Sequence, residues 1–223
     1  LEDGFVNDSA RTTGKTEELV GRIVHKATTN PSKMSLAMTF RRVHLDYAMK
    51  FVIDMFERDS ILRYFIPDPH KNNIKRTPIY DITLSRGHKL YGASAGEGNE
   101  ATNIKSKHPH FRFGDEFQLF PRDAWEGAVE ARAEEGSEDY LSGVPDGRID
   151  TPFFKEAHKV GRKKLSVSRL MNPWWNRKDK KERIEQYGGE NTDFYKQDIL
   201  GEWGKPVRSV WPMRQIAEAT HHQ

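Results

Sequence analysis

The chain has 223 residues, of which 35% are hydrophobic, 31% charged and 11% aromatic, with a net charge of +3 and no cysteine. This suits one main core of ordinary domain size with a wet surface, and it excludes disulfides, thiol chemistry and disorder throughout. No apolar run approaches the roughly 18–20 residues of a membrane span, and no charged-then-apolar leader opens the chain, so a cytosolic protein is expected.

In chain order, Phe5 to Asp8 reads as the end of a strand. A glycine-containing turn follows, then a helix over Thr16 to Ala27, where Leu19, Val20, Ile23 and Val24 recur at helical spacing. Ser35 to Phe40 reads as a second buried strand. A long helix is expected from Leu45 to Phe65, with Leu45, Ala48, Phe51, Val52, Met55, Phe56 and Leu62 on one face. Ile79 to Ala93 reads as short strands about a Ser85-Arg86-Gly87-His88 turn, followed by a loop through Gly92, Gly96 and Gly98. Phe111 to Gly114 is a strand, Asp123 to Glu134 a helix, and Tyr140 to Gly143 and Leu165 to Val167 are shorter strands. Strands alternating with helices predict an α/β fold with a mainly parallel sheet covered on both faces.

Ser9-Ala10-Arg11-Thr12-Thr13-Gly14-Lys15-Thr16 matches the phosphate-loop pattern G-x-x-x-x-G-K-[ST], with serine in place of the first glycine. Such a loop turns backbone N–H groups inward around phosphate oxygens, and the helix that follows adds its positive end. Lys15 would reach the β- and γ-phosphates of ATP, and Thr16 would place its hydroxyl on Mg2+. The bland alternative makes Thr16 the N-cap of an unrelated helix.

About a hundred residues on, Phe111-Arg112-Phe113-Gly114-Asp115-Glu116 ends a strand in adjacent acids. In phosphate-loop ATPases the first acid at such a strand end holds magnesium and the second polarises the attacking water. The alternative is an acid pair on a solvated turn, and Arg112 and His110 make this strand more polar than a buried one. A third element, Tyr140-Leu141-Ser142-Gly143-Val144-Pro145-Asp146-Gly147, runs from a strand into a Pro-Asp-Gly turn.

With "SARTTGKT", "FRFGDEF", "YLSGVPDG" before Phe153-Phe154-Lys155, and "DFYKQDILGEWG", the chain resembles the ATPase region of the large terminase subunit of tailed viruses, over nearly its whole length. An arginine inside the phosphate loop, here Arg11, is typical of that family. The resemblance implies a phosphate-loop ATPase fold and a motor that hydrolyses ATP with Mg2+ to drive double-stranded DNA into a procapsid. It implies phosphate contacts from Ser9, Ala10, Arg11, Thr12, Thr13, Gly14, Lys15 and Thr16, magnesium on Thr16 and Asp115, and Glu116 as catalytic base. Arg11 would sense or stabilise the γ-phosphate, and Ser142, Gly143 and Val144 fall where the family has its coupling motif. Gln197 and Asp198 fall in the segment that closes the ATPase region.

The implied partners are DNA, the portal and the small terminase subunit, in a ring of identical subunits on the capsid in the host cytoplasm, with a monomer and weak nucleotide affinity expected for the isolated chain. Residues 1–164 would be the ATPase core and 165–223 a basic, aromatic lid or linker. The family's Ile-Arg-Gly before the acidic pair is replaced by Ile104-Lys105-Ser106, leaving Lys105 as a weak candidate for an arginine acting on a neighbouring subunit. Both ends look cut, so adenine contacts and a nuclease domain are expected to lie outside the chain, and no DNA cleavage is expected. A helicase-type translocase, or a DNA-binding or assembly module with an inert nucleotide site, are the rival readings.

Between Lys155 and Arg183 eleven basic side chains face three acids, an arrangement open to DNA backbone contact or to plain solvation. Trp174-Trp175 reads as core packing, and the His108-Pro109-His110 and His221-His222 pairs lack the further ligands a metal site needs.

Overall fold

A computed structural model of the chain describes residues 4–67, 74–76, 79–96, 107–131 and 137–205. The first strand, β1 (Gly4–Asn7), feeds a loop and the helix α1 (Lys15–Thr29). Next come β2 (Met34–Thr39) and α2 (Arg42–Arg58), then the short strands β3 (Ile74–Lys75), β4 (Tyr80–Thr83) and β5 (Lys89–Ser94). The strand β6 (Phe111–Asp115), α3 (Arg122–Glu130), β7 (Glu138–Ser142), α4 (Pro152–Ala157) and β8 (Lys163–Leu165) follow. The described chain closes with α5 (Arg177–Tyr187) and α6 (Asp193–Tyr195), which runs on as a π-helical turn over Lys196–Leu200.

The eight strands form one sheet in the order β3-β4-β5-β2-β6-β7-β1-β8. All pairings from β5 to β8 are parallel, and only the β3–β4 and β4–β5 pairs run antiparallel. Because successive side chains alternate across a strand, each central strand feeds two cores. Phe5, Ala37, Phe111, Phe113 and Tyr140 face α1 and α2, whereas Val6, Leu36, Met38 and Leu141 face Phe117, Trp125 and Phe153. The apolar stripe of α1, Leu19, Val20, Ile23, Val24 and Ala27, is buried on the first core. Each such fully buried aliphatic side chain contributes roughly 1.5–3 kcal/mol.

The long helix expected over Leu45 to Phe65 is interrupted: α2 ends at Arg58, and a 3-10 turn covers Leu62–Phe65. The cause is local. The Asp59 carboxylate accepts from the backbone N–H groups of Ile61 and Leu62, at 2.8 and 2.9 Å, offering the chain a cap in place of the next helical turn. The turn at Ser85–His88 is a hairpin as expected, closed by Leu84 N donating to His88 O at 2.8 Å. Gly92, expected in a loop, lies inside β5; Gly98 falls outside the described residues. The helix expected over Asp123 to Glu134 is described as far as Glu130.

Arg112, the polar residue in β6, is 1% exposed and still belongs there. It pairs with Asp139, its register partner on β7, at 2.6 Å, and donates to Ala128 O at the end of α3 at 2.7 Å. Breaking such a buried pair by removing one partner typically costs about 3–5 kcal/mol. Trp174 corrects the expectation of core packing, being 84% exposed; its neighbour Trp175 is half-buried beneath the Arg169 guanidinium, 4.8 Å from the ring centroid.

Candidate functional site

Parallel β1, β6 and β7 end on the same edge of the sheet, and the loops leaving that edge are where ligands of open α/β sheets bind. Register aligns Asn7 with Ser142, and Gly114 with Leu141, so Asp115 and Ser142 finish side by side. The loop after β1 is buried at Asp8, Ser9 and Ala10 and then surfaces. It is pinned on its outer side: Asp8 N donates to Leu165 O at 3.0 Å, Ala10 N to Val167 O at 2.9 Å and Arg11 N to Asp198 O at 3.0 Å.

Thr12 and Gly14 both take the left-handed conformation, φ 60° and 78°. For Thr12 this is strained; for Gly14, which sits at the N-cap of α1, it is free. Gly14 O accepts from Glu18 N, so the helix begins directly behind the loop. The alternative in which Thr16 merely caps a helix is therefore set aside. Thr16 lies inside α1, and its hydroxyl donates instead to Asp115 Oδ2 across 2.7 Å, joining the loop to β6.

Asp115 is 5% exposed and fully engaged, which removes the solvated-turn alternative for it. Its Oδ1 accepts from Ser142 Oγ at 2.7 Å and from Glu116 N at 2.9 Å. Glu116, just past the strand, is left-handed at φ 50°. That conformation costs a non-glycine residue of order 1–2 kcal/mol, and such strain gathers at functional sites. Its carboxylate lies 2.6 Å from His44 Nδ1 at an angle that does not make a hydrogen bond.

Lys15 folds back over the loop, its Nζ donating to Ser9 O at 3.2 Å and to Ala10 O. Burial lowers its ammonium from the usual 10.5 to about 8; Asp115, Asp198 and Glu116 pull the value up and Arg11 pushes it further down. Arg11 itself turns to Asp198, Nε to Oδ1 at 2.8 Å. Gly143 N donates to Asn7 O at 3.0 Å and Val144 N to Gln118 Oε1 at 3.1 Å, which holds the segment after β7 against both neighbours.

One cleft of about 1480 Å³ gathers these groups: the loop from Arg11 to Thr16, Asp115 with Glu116, and the turn from Gly143 to Asp150 all line it. Ser9 and Ala10 lie buried beneath the loop, and Ser142 reaches the cleft only through Asp115. Cationic side chains, the start of a helix and hard oxygen donors thus share one crevice, an inventory suited to a phosphate ester with a divalent cation. Among the described residues no three His, Asp or Glu side chains converge as a protein-only metal cage.

Sequence reading missed four contributors. His44 at the start of α2 and Tyr187 at the end of α5 line the cleft from elements remote in sequence. Asp8 is 0% exposed and ties the loop to the C-terminal segment: its carboxylate takes Trp203 Nε1 at 2.9 Å, Lys164 Nζ at 2.9 Å and the Ser166 hydroxyl. Gly201, left-handed at φ 73°, lets that segment approach so closely that a Cβ there would sit 2.9 Å from Ala10 N. Gly201 lies within the DFYKQDILGEWG stretch, which by itself assigns it no role; the other three carry no local signature. Lys105 and His221-His222 lie outside the described residues.

The architecture is that of a phosphate-loop NTPase fold, with a mainly parallel sheet flanked by helices. Among solved structures, that of the large terminase from a thermophilic bacteriophage matches with a TM-score of 0.69 at 17% identity, over 91% of this chain and 48% of that one. The same terminase in complex with ATP-gamma-S gives 0.66 at 16% identity, again over 91% and 48%. The large terminase ATPase domain of Thermus phage P74-26 gives 0.65 at 13% identity, over 91% of this chain and 89% of that domain. This chain therefore has the fold of a large terminase ATPase domain and spans about half the length of the first of these terminases. No family model matches the sequence, and no curated protein matches it.

Proposed function

We propose that this chain is the ATPase motor domain of a viral DNA-packaging terminase, hydrolysing ATP with Mg2+ to move double-stranded DNA into a procapsid. The observation that carries the proposal is the 2.7 Å bond between Thr16 and Asp115, which brings a phosphate-loop hydroxyl and a strand-end carboxylate together inside one cleft. The likeness in fold to terminase structures solved with ADP and with ATP-gamma-S supports it.

In this reading the backbone N–H groups from Thr12 to Gly14 and the N-terminus of α1 surround the β-phosphate, those of Ala10 and Arg11 being held by the Val167 and Asp198 carbonyls. Lys15 exchanges its present bonds to the Ser9 and Ala10 carbonyls for phosphate oxygens. Arg11 leaves Asp198 for the γ-phosphate, where a guanidinium engages charge at two points. The Thr16 hydroxyl and Asp115 are hard oxygen donors, the kind magnesium takes alongside water and phosphate, so the residues present fit the ion. Bound there, magnesium would neutralise charge on the β- and γ-phosphates. Glu116 is the base that orients and deprotonates the attacking water, with the His44 ring beside it.

Ser142 bonds to Asp115, and Gly143 and Val144 bond to the ends of β1 and to Gln118, so a change at the acid is felt in the turn that follows β7. That continuity supports the coupling role. Residues 165–223 are the lid or linker that completes the ATPase domain after the 1–164 core, those beyond 205 lying outside the described residues, with DNA, the portal and the small terminase subunit as partners of a ring assembled on the capsid in the host cytoplasm. The test is Glu116→Gln, which should hold ATP but not turn it over, beside Lys15→Ala, which should lose both; normal hydrolysis by either variant removes that residue from its role.

A further inference from the structure

The phosphate reading occupies one end of the cleft and leaves the other without a ligand. Sheet order puts β6, with Asp115 and Glu116, on one flank of β1 and β8 on the other. The phosphate loop leaves β1 between them, so a triphosphate whose last phosphate faces the acids sends its nucleoside toward the β8 flank. There the cleft is lined by Tyr187, Phe194, Gln197 and Asp198, all from the segment that follows β8.

Two of these are aromatic and already aligned. The rings of Tyr187 and Phe194 are 9° from parallel with centroids 6.2 Å apart, and Phe194 is 43% exposed. Neighbouring parallel rings present a flat, apolar step on which a third planar ring system stacks. The platform is also tethered to the phosphate loop by one carboxylate. Asp198 accepts from the Tyr187 hydroxyl at 3.0 Å on one oxygen and from Arg11 at 2.8 Å on the other. Gln197 has its amide N–H groups committed to the carbonyls of Trp203, at 3.3 Å, and Lys205, at 2.6 Å.

We propose that Tyr187 and Phe194 form the nucleobase subsite of this cleft, taking a purine by stacking on their parallel rings. The proposal rests on the reading of the cleft as a triphosphate site, and it moves a base contact inside a chain whose sequence suggested none. Stacking tolerates any base with a π-face, so adenine and guanine nucleotides bind within about threefold of one another.

The experiment is calorimetric titration of the chain, with magnesium present, using ATP-gamma-S, its guanine counterpart and inorganic tripolyphosphate. The double variant Tyr187→Ala/Phe194→Ala should bind both nucleotides about ten- to a hundredfold more weakly while holding tripolyphosphate as the parent does. Tyr187→Phe, which keeps the ring, should bind nucleotides as the parent does. Equal weakening of nucleotides and tripolyphosphate, or unchanged nucleotide affinity in the double variant, overturns the subsite. Should the double variant fail to fold, the unmodified chain decides: the fluorescence of 2-aminopurine riboside triphosphate should be quenched on binding, and unquenched binding overturns the proposal. The underlying phosphate reading fails separately, if Lys15→Ala leaves tripolyphosphate binding intact.

Discussion

The two walls of the cleft are built differently. On the sheet side, Asp115 is buried at the end of a central strand and accepts from Thr16, Ser142 and the Glu116 backbone at once, so its position is fixed by the fold. On the C-terminal side, α5 contributes no buried residue, and the segment is anchored mainly through Asp8 and the packing of Tyr195 and Ile199. Under the proposed function the chemistry sits on the first, rigid wall, and a more lightly packed, compliant wall sits opposite.

The contrast is most vulnerable at the rigid wall. Glu116→Gln keeps the side chain's shape and removes its basicity, so hydrolysis should fall about 10²–10⁴-fold while ATP-gamma-S binding stays within about threefold. A steady-state phosphate-release assay beside a binding titration checks it. A loss of binding equal to the loss of rate would make the residue a ligand contact and would erase the division of labour between the walls.

The anchor of the compliant wall comes next. Asp8→Asn leaves Lys164, Ser166 and Trp203 around a neutral amide, and should cost about 3 kcal/mol, toward the low end for a buried pair because Lys164 is partly exposed. Hydrogen exchange should quicken across residues 163–205 and stay slow in β2, β6 and β7. Uniform loosening of the whole chain would mean that the two walls are one cooperative unit.

How much of this was legible in the sequence divides along the same line. The rigid wall announces itself, because a phosphate-loop pattern and a strand ending in two acids are short local signals, helical spacing places α1, and short runs read as strands place β1, β2 and β6 to within a residue. The compliant wall does not. Asp8 meets Trp203 across 195 positions and Arg11 meets Asp198 across 187, contacts that no window of sequence contains. The break in the helix at Asp59 was readable in principle, since an aspartate followed by serine can cap a new turn, but the apolar spacing through Leu62 masked it. Arg112 misled in the opposite direction, arguing against burial until its register partner Asp139 is known.

A smaller effect concerns pH. Burial lowers the Lys15 ammonium to about 8, and the cationic form is the one that binds phosphate, so binding above pH 8 requires proton uptake. Affinity for tripolyphosphate should therefore fall by about tenfold per pH unit above 8, until the lysine of the bound state also titrates, and change little from this cause below it. Flat affinity across pH 7 to 10 in calorimetry would show that Lys15 stays outside the phosphate contacts. The sign for folding runs the other way: the unfolded chain holds this proton up to about 10.5, so the lysine's burial costs stability below pH 8 and that cost is relieved as pH rises between the two values.

Asp198→Asn should do least to stability, under about 1 kcal/mol, because Arg11 is 47% exposed and the pair is screened by water. Urea unfolding measures it, and a larger loss would place Asp198 beside Asp8 as a structural anchor of the compliant wall.

The decisive measurement is a crystal structure of the chain with ATP-gamma-S and magnesium. The terminal phosphates should lie between the amides around Gly14 and the carboxylates of Asp115 and Glu116, with Lys15 Nζ turned from the loop carbonyls onto phosphate oxygen and the metal against Thr16 and Asp115. Phosphates bound elsewhere on the molecule, with Lys15 still on Ser9 and Ala10, would contradict the motor reading.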